Sequence, residues 1–192
     1  MSIVKIVEIF GSVVGLFYIY YQYKASSKLW IVGILMSLAY IFVFTKTLCY
    51  FWAATYLYYL LAAIYGLVLW RKNDTPTKNQ YDGITRCPRK YFLPLFLIFS
   101  ILSVVIAYFA KDMLDSPIPI GEAISTALSV VAMWLLAKKY LEHWLLWIVV
   151  NLFYAVLNFT LELYPTALMF TVYLVVAILG YFKWKKEIIM IN

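Results

Sequence analysis

Seven apolar runs, each close to the length of one bilayer crossing, follow one another with only short polar breaks and leave almost no chain for anything else. They lie near residues 3 to 23, 29 to 46, 48 to 70, 91 to 110, 121 to 140, 144 to 163 and 165 to 184. A helix crossing a hydrocarbon core of about 30 Å needs about 20 such residues. With 66% of the 192 residues apolar or aromatic and only 13% charged, a water-soluble fold is excluded. The pattern predicts an all-α, polytopic membrane protein with seven transmembrane helices. The first run lacks a small-residue cleavage site and passes through Tyr20, Tyr21, Gln22 and Tyr23 before Lys24, so it is read as a retained helix.

The longest break, Arg71 to Lys90, contains Asn73-Asp74-Thr75-Pro76 and Tyr81-Asp82-Gly83, both turn-forming, and reads as a solvated linker. Pro165 stands where a first-turn proline costs no hydrogen bond and should start the last helix. Cys49 and Cys87 have no metal-ligand or redox spacing and read as ordinary thiols.

Seven crossings put the termini on opposite sides. Thirteen basic residues, Lys24, Lys28, Arg71, Lys72, Lys78, Arg86, Arg89, Lys90, Lys138, Lys139, Lys183, Lys185 and Lys186, then fall on one side, and Lys5, Lys46 and Lys111 on the other. Basic loops stay inside, so the N-terminus is expected outside and the C-terminus in the cytoplasm, in a multi-pass inner (plasma) membrane protein. The net charge of +7 is explained by this bias, and no folded basic face suggests a nucleic-acid partner.

One offset, 114 residues, aligns the first three runs with the last three without a gap. Glu8 meets Glu122, Lys24 meets Lys138, Trp30 meets Trp144, Tyr40 meets Tyr154, Tyr50 meets Tyr164, Tyr59 meets Tyr173, Gly66 meets Gly180 and Trp70 meets Trp184. Four crossings separate helix 1 from helix 5, so both halves enter the membrane in the same direction, a parallel 3+1+3 repeat in which helix 4 restores that direction. The expected organisation is a first three-helix repeat over 1–72, a linker with helix 4 over 73–120, a second repeat over 121–186, and a tail over 187–192. In transporters with such an axis, substrate sites lie near the midplane where the halves meet.

In the sixth run, Trp144, Trp147, Asn151, Tyr154 and Asn158 fall at i, i+3, i+7, i+10 and i+14, one stripe roughly 80° wide on a helix. Lipid is a poor neighbour for two amides and a phenol, so the stripe should face the bundle interior. Two indoles one turn apart can stack on a flat, cationic heteroaromatic ring, and the Asn151 amide can both donate to and accept from a polar substituent. Trp144 could equally belong to the interfacial aromatic belt, and Asn151 could be interhelical glue. The matching positions of helix 2 hold Trp30, Gly33, Ser37 and Tyr40, so the halves differ where an asymmetric ligand between them would require it. Gly33 reads equally well as a close-packing residue.

Glu8 and Glu122 are the carboxylates of the two leading helices. Glu122 fits a first-turn carboxylate favoured by the helix dipole, while Glu8 lies deeper and is the better functional charge. His143, the one histidine, is expected to be solvated in a short cytoplasmic turn. The candidate substrate contacts are Trp144, Trp147, Asn151, Tyr154, Ser37, Tyr40, Tyr56, Glu8 and Tyr173, with no catalytic, cofactor or metal residue.

The segment from Lys138 through Trp144, Trp147 and Asn151 resembles the W-x-x-W-x-x-x-N signature of PnuC-type vitamin transporters. Ile64-Tyr65-Gly66 with Trp70, and Gly180-Tyr181 with Trp184, are similar to that family's endings of helices 3 and 7. The resemblance implies a SWEET-like fold, facilitated diffusion of unphosphorylated nicotinamide riboside, a homotrimer, and retention of the vitamin by a cytoplasmic kinase. It assigns Trp144, Trp147 and Asn151 to substrate contact. Glutamines expected in helices 3 and 5 are replaced here by Tyr56 and Met133, which leaves thiamine open as the second substrate.

No G-x-x-x-x-G-K loop is present for direct use of ATP. One histidine, two scattered cysteines and two separated glutamates give no nucleophile or metal cluster for an intramembrane enzyme. A seven-helix receptor or assembly protein is the reading from another class, although signalling needs no repeat axis.

Overall fold

The computed structural model describes residues 14–73, 81–113 and 118–191. Among these are seven α-helices: α1 (14–23), α2 (Lys28–Lys46), α3 (Tyr50–Asn73), α4 (Phe92–Met113), α5 (Pro119–Ala137), α6 (His143–Thr160) and α7 (Tyr164–Ile191). One turn of 3-10 helix, Arg89–Tyr91, leads into α4. The six helices α2 to α7 are long and apolar enough to cross a membrane. The first crossing, expected from residue 3, is described from residue 14 onward.

Two ends differ from expectation. The residues expected as a tail, 187–192, continue α7 as far as Ile191; Lys185-Lys186-Glu187 are good helix formers, and neither Gly nor Pro follows to stop the helix. Conversely, α5 stops at Ala137 rather than at 140, because Lys139 takes a left-handed conformation, φ 55°.

Four helix ends close in the same way although none has a glycine. Ala25, Leu48, Lys139 and Glu162 adopt φ of 50°, 59°, 55° and 59°. After each, the next backbone N–H reaches five residues back: Ser26 to the Tyr21 carbonyl (3.0 Å), Cys49 to Phe44 (2.9 Å), Tyr140 to Leu135 (2.9 Å) and Leu163 to Asn158 (2.9 Å). These are Schellman caps, which satisfy carbonyls that bilayer lipid could not.

The chain divides into two compact units, Met1–Asp82 and Gly83–Asn192. In the first, α2 packs on α3. The indole of Trp30 lies against Gly66, where a β-carbon would stand 2.4 Å from ring atom Cζ2. Trp70 meets the same indole edge-on, with centroids 5.4 Å apart at 90°. A β-carbon at Gly33 would lie 3.2 Å from the Tyr18 ring and 3.6 Å from the Ala63 methyl, so its missing side chain serves close packing. Lipid is as apolar as these side chains, and such close approach provides the dispersion contact that holds membrane helices together.

In the second unit, α4 packs on α5, α5 on α6, and α6 on α7. Helix α4 therefore belongs to this compact body. The linker joins it as a strap: Gly83 turns with φ 81°, and the Thr85 N–H donates to the Lys139 carbonyl (3.2 Å) while the Leu141 N–H donates to Thr85 (2.9 Å). The Cys87 N–H donates to Glu142 Oε2 at 2.7 Å. Cys87 is buried against Val131 and Leu135, with Tyr91, Leu95, Phe99, Trp134, Tyr140 and Leu146 around them.

Candidate functional site

Helix α6 carries its polar stripe inward. Trp144, Asn151 and Asn158 are buried, with Trp147 and Tyr154 half-buried, whereas Leu145, Val149, Leu152, Val156 and Phe159 on the other face are exposed. The amides avoid lipid at the expense of exposing aliphatic side chains, which lipid accepts without penalty.

Along the stripe the residues differ in how far the protein itself satisfies them. Trp144, 0% exposed, is locked in place. A β-carbon on Gly180 would fall 2.6 Å from its Cζ2, and Trp184 meets it edge-on, centroids 5.7 Å apart at 90°. Asn158 donates its amide to the Tyr154 carbonyl at 2.7 Å, within the helix. Asn151 is 4% exposed. The buried indole nitrogens of Trp144 and Trp147 meet no acceptor among the described residues. A buried donor without an acceptor costs on the order of 1–3 kcal/mol, so Trp147 Nε1, one helical turn before the buried Asn151, keeps unspent hydrogen-bonding capacity.

His143 corrects the sequence reading. It is fully buried, not solvated. Its Nδ1 lies 2.7 Å from the Tyr140 carbonyl, and its ring packs 4.6 Å from Trp144 and 4.8 Å from Trp184. The bond to Tyr140 makes Nδ1 the protonated nitrogen and leaves Nε2 an acceptor that finds no donor among the described residues.

Farther along α6, Tyr154 stacks on Phe170 at 5.0 Å and 22°, and Phe170 meets Tyr173 edge-on at 6.1 Å. In the Met1–Asp82 unit, Tyr40 stacks on Tyr56 at 4.7 Å and 26°, and Tyr56 meets Tyr59 edge-on at 5.6 Å. Ser37 is buried on α2. The expected contacts thus gather as Ser37, Tyr40 and Tyr56 in one unit and Trp144, Trp147, Asn151, Tyr154 and Tyr173 in the other. Glu8 lies outside the described residues. Glu122 occupies the first turn of α5 behind Pro119, where the dipole favours it.

Sequence reasoning missed Phe170, which carries no polar signal, although Tyr56 lies 114 residues before it. It also missed Ser125, Thr126 and Ser129, buried hydroxyls of α5. Ser129 Oγ donates to the Ser125 carbonyl at 2.8 Å.

A stripe of indoles and buried amides turned inward suits a membrane protein that handles a polar ligand. Residues 5–186 match the family model described as nicotinamide mononucleotide transporter. The chain belongs to that family. Its members are transporters, not enzymes. The chain is 27% identical over 146 residues to the nicotinamide riboside transporter PnuC of Neisseria mucosa, covering 68% of this chain. It spans about half, 52%, of that relative's length. The crystal structure of the vitamin B3 transporter PnuC superposes with a TM-score of 0.69 at 23% identity, over 92% of this chain and 79% of that one. The shared fold places this family member among multi-pass, all-helical membrane proteins of the PnuC type.

Proposed function

We propose that this chain carries nicotinamide riboside across the inner membrane by facilitated diffusion, with retention by phosphorylation in the cytoplasm. The observation that carries the reading is the inward stripe on α6, where Trp147 Nε1 is buried without an acceptor and Asn151 is buried one turn farther along, in a member of a transporter family. A flat, cationic ring suits the indole face, and a carboxamide on that ring could exchange hydrogen bonds with Asn151. Neither α5 nor α6 contains a Lys or Arg that could neutralise a phosphate within the bilayer, which favours the riboside over its nucleotide. The named relative favours the riboside over thiamine.

In this reading Trp147, Asn151, Tyr154 and Tyr173 contact substrate from one unit, with Trp144 holding the stripe from behind. Ser37, Tyr40, Tyr56 and Glu8 contribute from the other. The two units form a parallel 3+1+3, SWEET-like repeat, with the N-terminus outside and the C-terminus inside, assembled as a homotrimer. Support for the repeat comes from pairs of features 114 residues apart: the left-handed caps at Ala25 and Lys139 and at Leu48 and Glu162, and the Trp30–Trp70 and Trp144–Trp184 pairs, each perpendicular at 90°.

The test is a competition panel of nicotinamide riboside, its mononucleotide and thiamine against purified protein, with uptake into liposomes lacking ATP or ion gradients. Riboside should bind most tightly and equilibrate across the membrane. Binding without equilibration would favour a receptor, and preference for the mononucleotide or thiamine would overturn the substrate.

A further inference from the structure

Three segments far apart in sequence meet at one end of the Gly83–Asn192 unit. The strap is hydrogen-bonded to the α5–α6 turn through Thr85 and Cys87, and the start of α6 touches the end of α7 through His143 and Trp184. That end therefore carries Arg86, Arg89 and Lys90 from the strap and the 3-10 turn. It also carries Lys138 and Lys139 from the α5–α6 turn, and Lys183, Lys185 and Lys186 beside Trp184. Against these cations stand Glu142 and Glu187, and Glu142 turns Oε2 onto the Cys87 N–H. At the opposite helix ends of the unit the charges with described side chains are Glu122 and Glu162.

Arg86, Arg89 and Lys90 are all exposed, yet their backbone is held. The strap is bonded on both sides of Arg86, Pro88 fixes its own φ, and Tyr91 N–H closes the 3-10 turn on the Pro88 carbonyl at 3.0 Å. Their depth is set as well. Tyr91 lies edge-on to Trp134 at 5.6 Å and 6.4 Å from Tyr140, an aromatic group of the kind that marks the membrane interface. Immediately afterwards α4 exposes Phe92, Leu93, Phe96 and Leu97, a face that only lipid tails suit. Three cations on an ordered backbone thus stand at headgroup level above a lipid-facing helix. Guanidinium groups bind phosphodiesters through paired N–H donors, and fixing the backbone beforehand lowers the entropy cost of binding.

We propose that Arg86, Arg89 and Lys90 form a headgroup site for an anionic phospholipid, and that the bound lipid steadies the strap and, through Glu142, the first turn of α6. The probe is phosphatidylglycerol against phosphatidylcholine in nanodiscs, read by lipid retention in native mass spectrometry and by thermal unfolding. Wild-type protein should retain phosphatidylglycerol preferentially and unfold at higher temperature in its presence. R86Q/R89Q/K90Q should lose that preference, on the order of fivefold for each cation removed, while K185Q/K186Q should keep most of it. Equal retention of both lipids by wild-type protein would overturn the proposal, whether or not the triple variant folds. An equal loss in K185Q/K186Q would reduce it to diffuse attraction and overturn it too. If inorganic phosphate at millimolar concentration gave the same stabilisation in neutral nanodiscs, the site would belong to a soluble anion and not to lipid. Each readout is independent of which vitamin is carried.

Discussion

The indole of Trp144 lies directly on the backbone of Gly180, with room for a hydrogen atom there and none for a methyl group: a β-carbon would stand 2.6 Å from Cζ2 and 2.7 Å from Cη2. Trp184, one turn beyond Gly180 on the same helix, meets the same ring edge-on with centroids 5.7 Å apart. Gly180→Ala should destabilise the folded protein by about 1–3 kcal/mol, and the smaller ring of Trp144→Phe in the same chain should recover part of that. Thermal unfolding in detergent measures both. An unchanged midpoint for Gly180→Ala alone would mean that the close approach is not there.

Asn151 separates a binding role from a structural one. Exchanging it for Leu should weaken riboside binding by about 1–3 kcal/mol with little change in thermal stability if the amide serves the ligand. Trp147→Ala should abolish binding with the fold retained. If Asn151→Leu instead lowered the unfolding temperature and left affinity alone, the amide would be interhelical glue.

The α2–α3 turn holds Leu48 at φ 59° with its side chain exposed. A left-handed conformation costs an L-residue about 1–2 kcal/mol, while glycine gives back about 0.5–1 kcal/mol in unfolded-state entropy. Leu48→Gly should therefore stabilise the protein by up to about 1 kcal/mol, seen as a raised unfolding midpoint.

Burial, with the neighbouring Glu142 carboxylate adding to it, pushes the Cys87 thiol above its ordinary 9.0. The protonated form is thus the one the fold favours. The stabilising contribution is complete below the unfolded-state value near 9 and is lost as pH rises through the higher folded-state value. Maleimide at pH 8 should label the exposed Cys49 quickly and Cys87 slowly, and Cys87→Ser should flatten the alkaline loss of stability. Equal labelling rates would place Cys87 outside the cluster it is packed in.

The inward direction of the α6 stripe was legible because amides and phenols at helical spacing have one tolerable orientation in a bilayer. The caps were not legible, since Ala25, Leu48, Lys139 and Glu162 replace the glycines that usually announce a left-handed turn. His143 was misread for a related reason. It follows Lys138, Lys139 and Glu142, a polar run suggesting water, but Trp144 and Trp184 pack against its ring. Gly66 and Gly180 match as letters 114 apart, yet only the fold shows that each seats the tryptophan of the preceding helix.

The strap has a mechanical consequence. Helix α6 begins six residues after α5 ends, a junction that would ordinarily act as a swivel. Here Thr85 is bonded on both sides of that junction and Cys87 to its last residue, Glu142. Tilting α6 away from α5 would strain the strap's bonds to Leu141 and Glu142 and pull Trp144 off Gly180. The helix that bears Asn151 is therefore tied to both its neighbours within its own unit, to α5 through the strap and to α7 through the seat of Trp144 on Gly180.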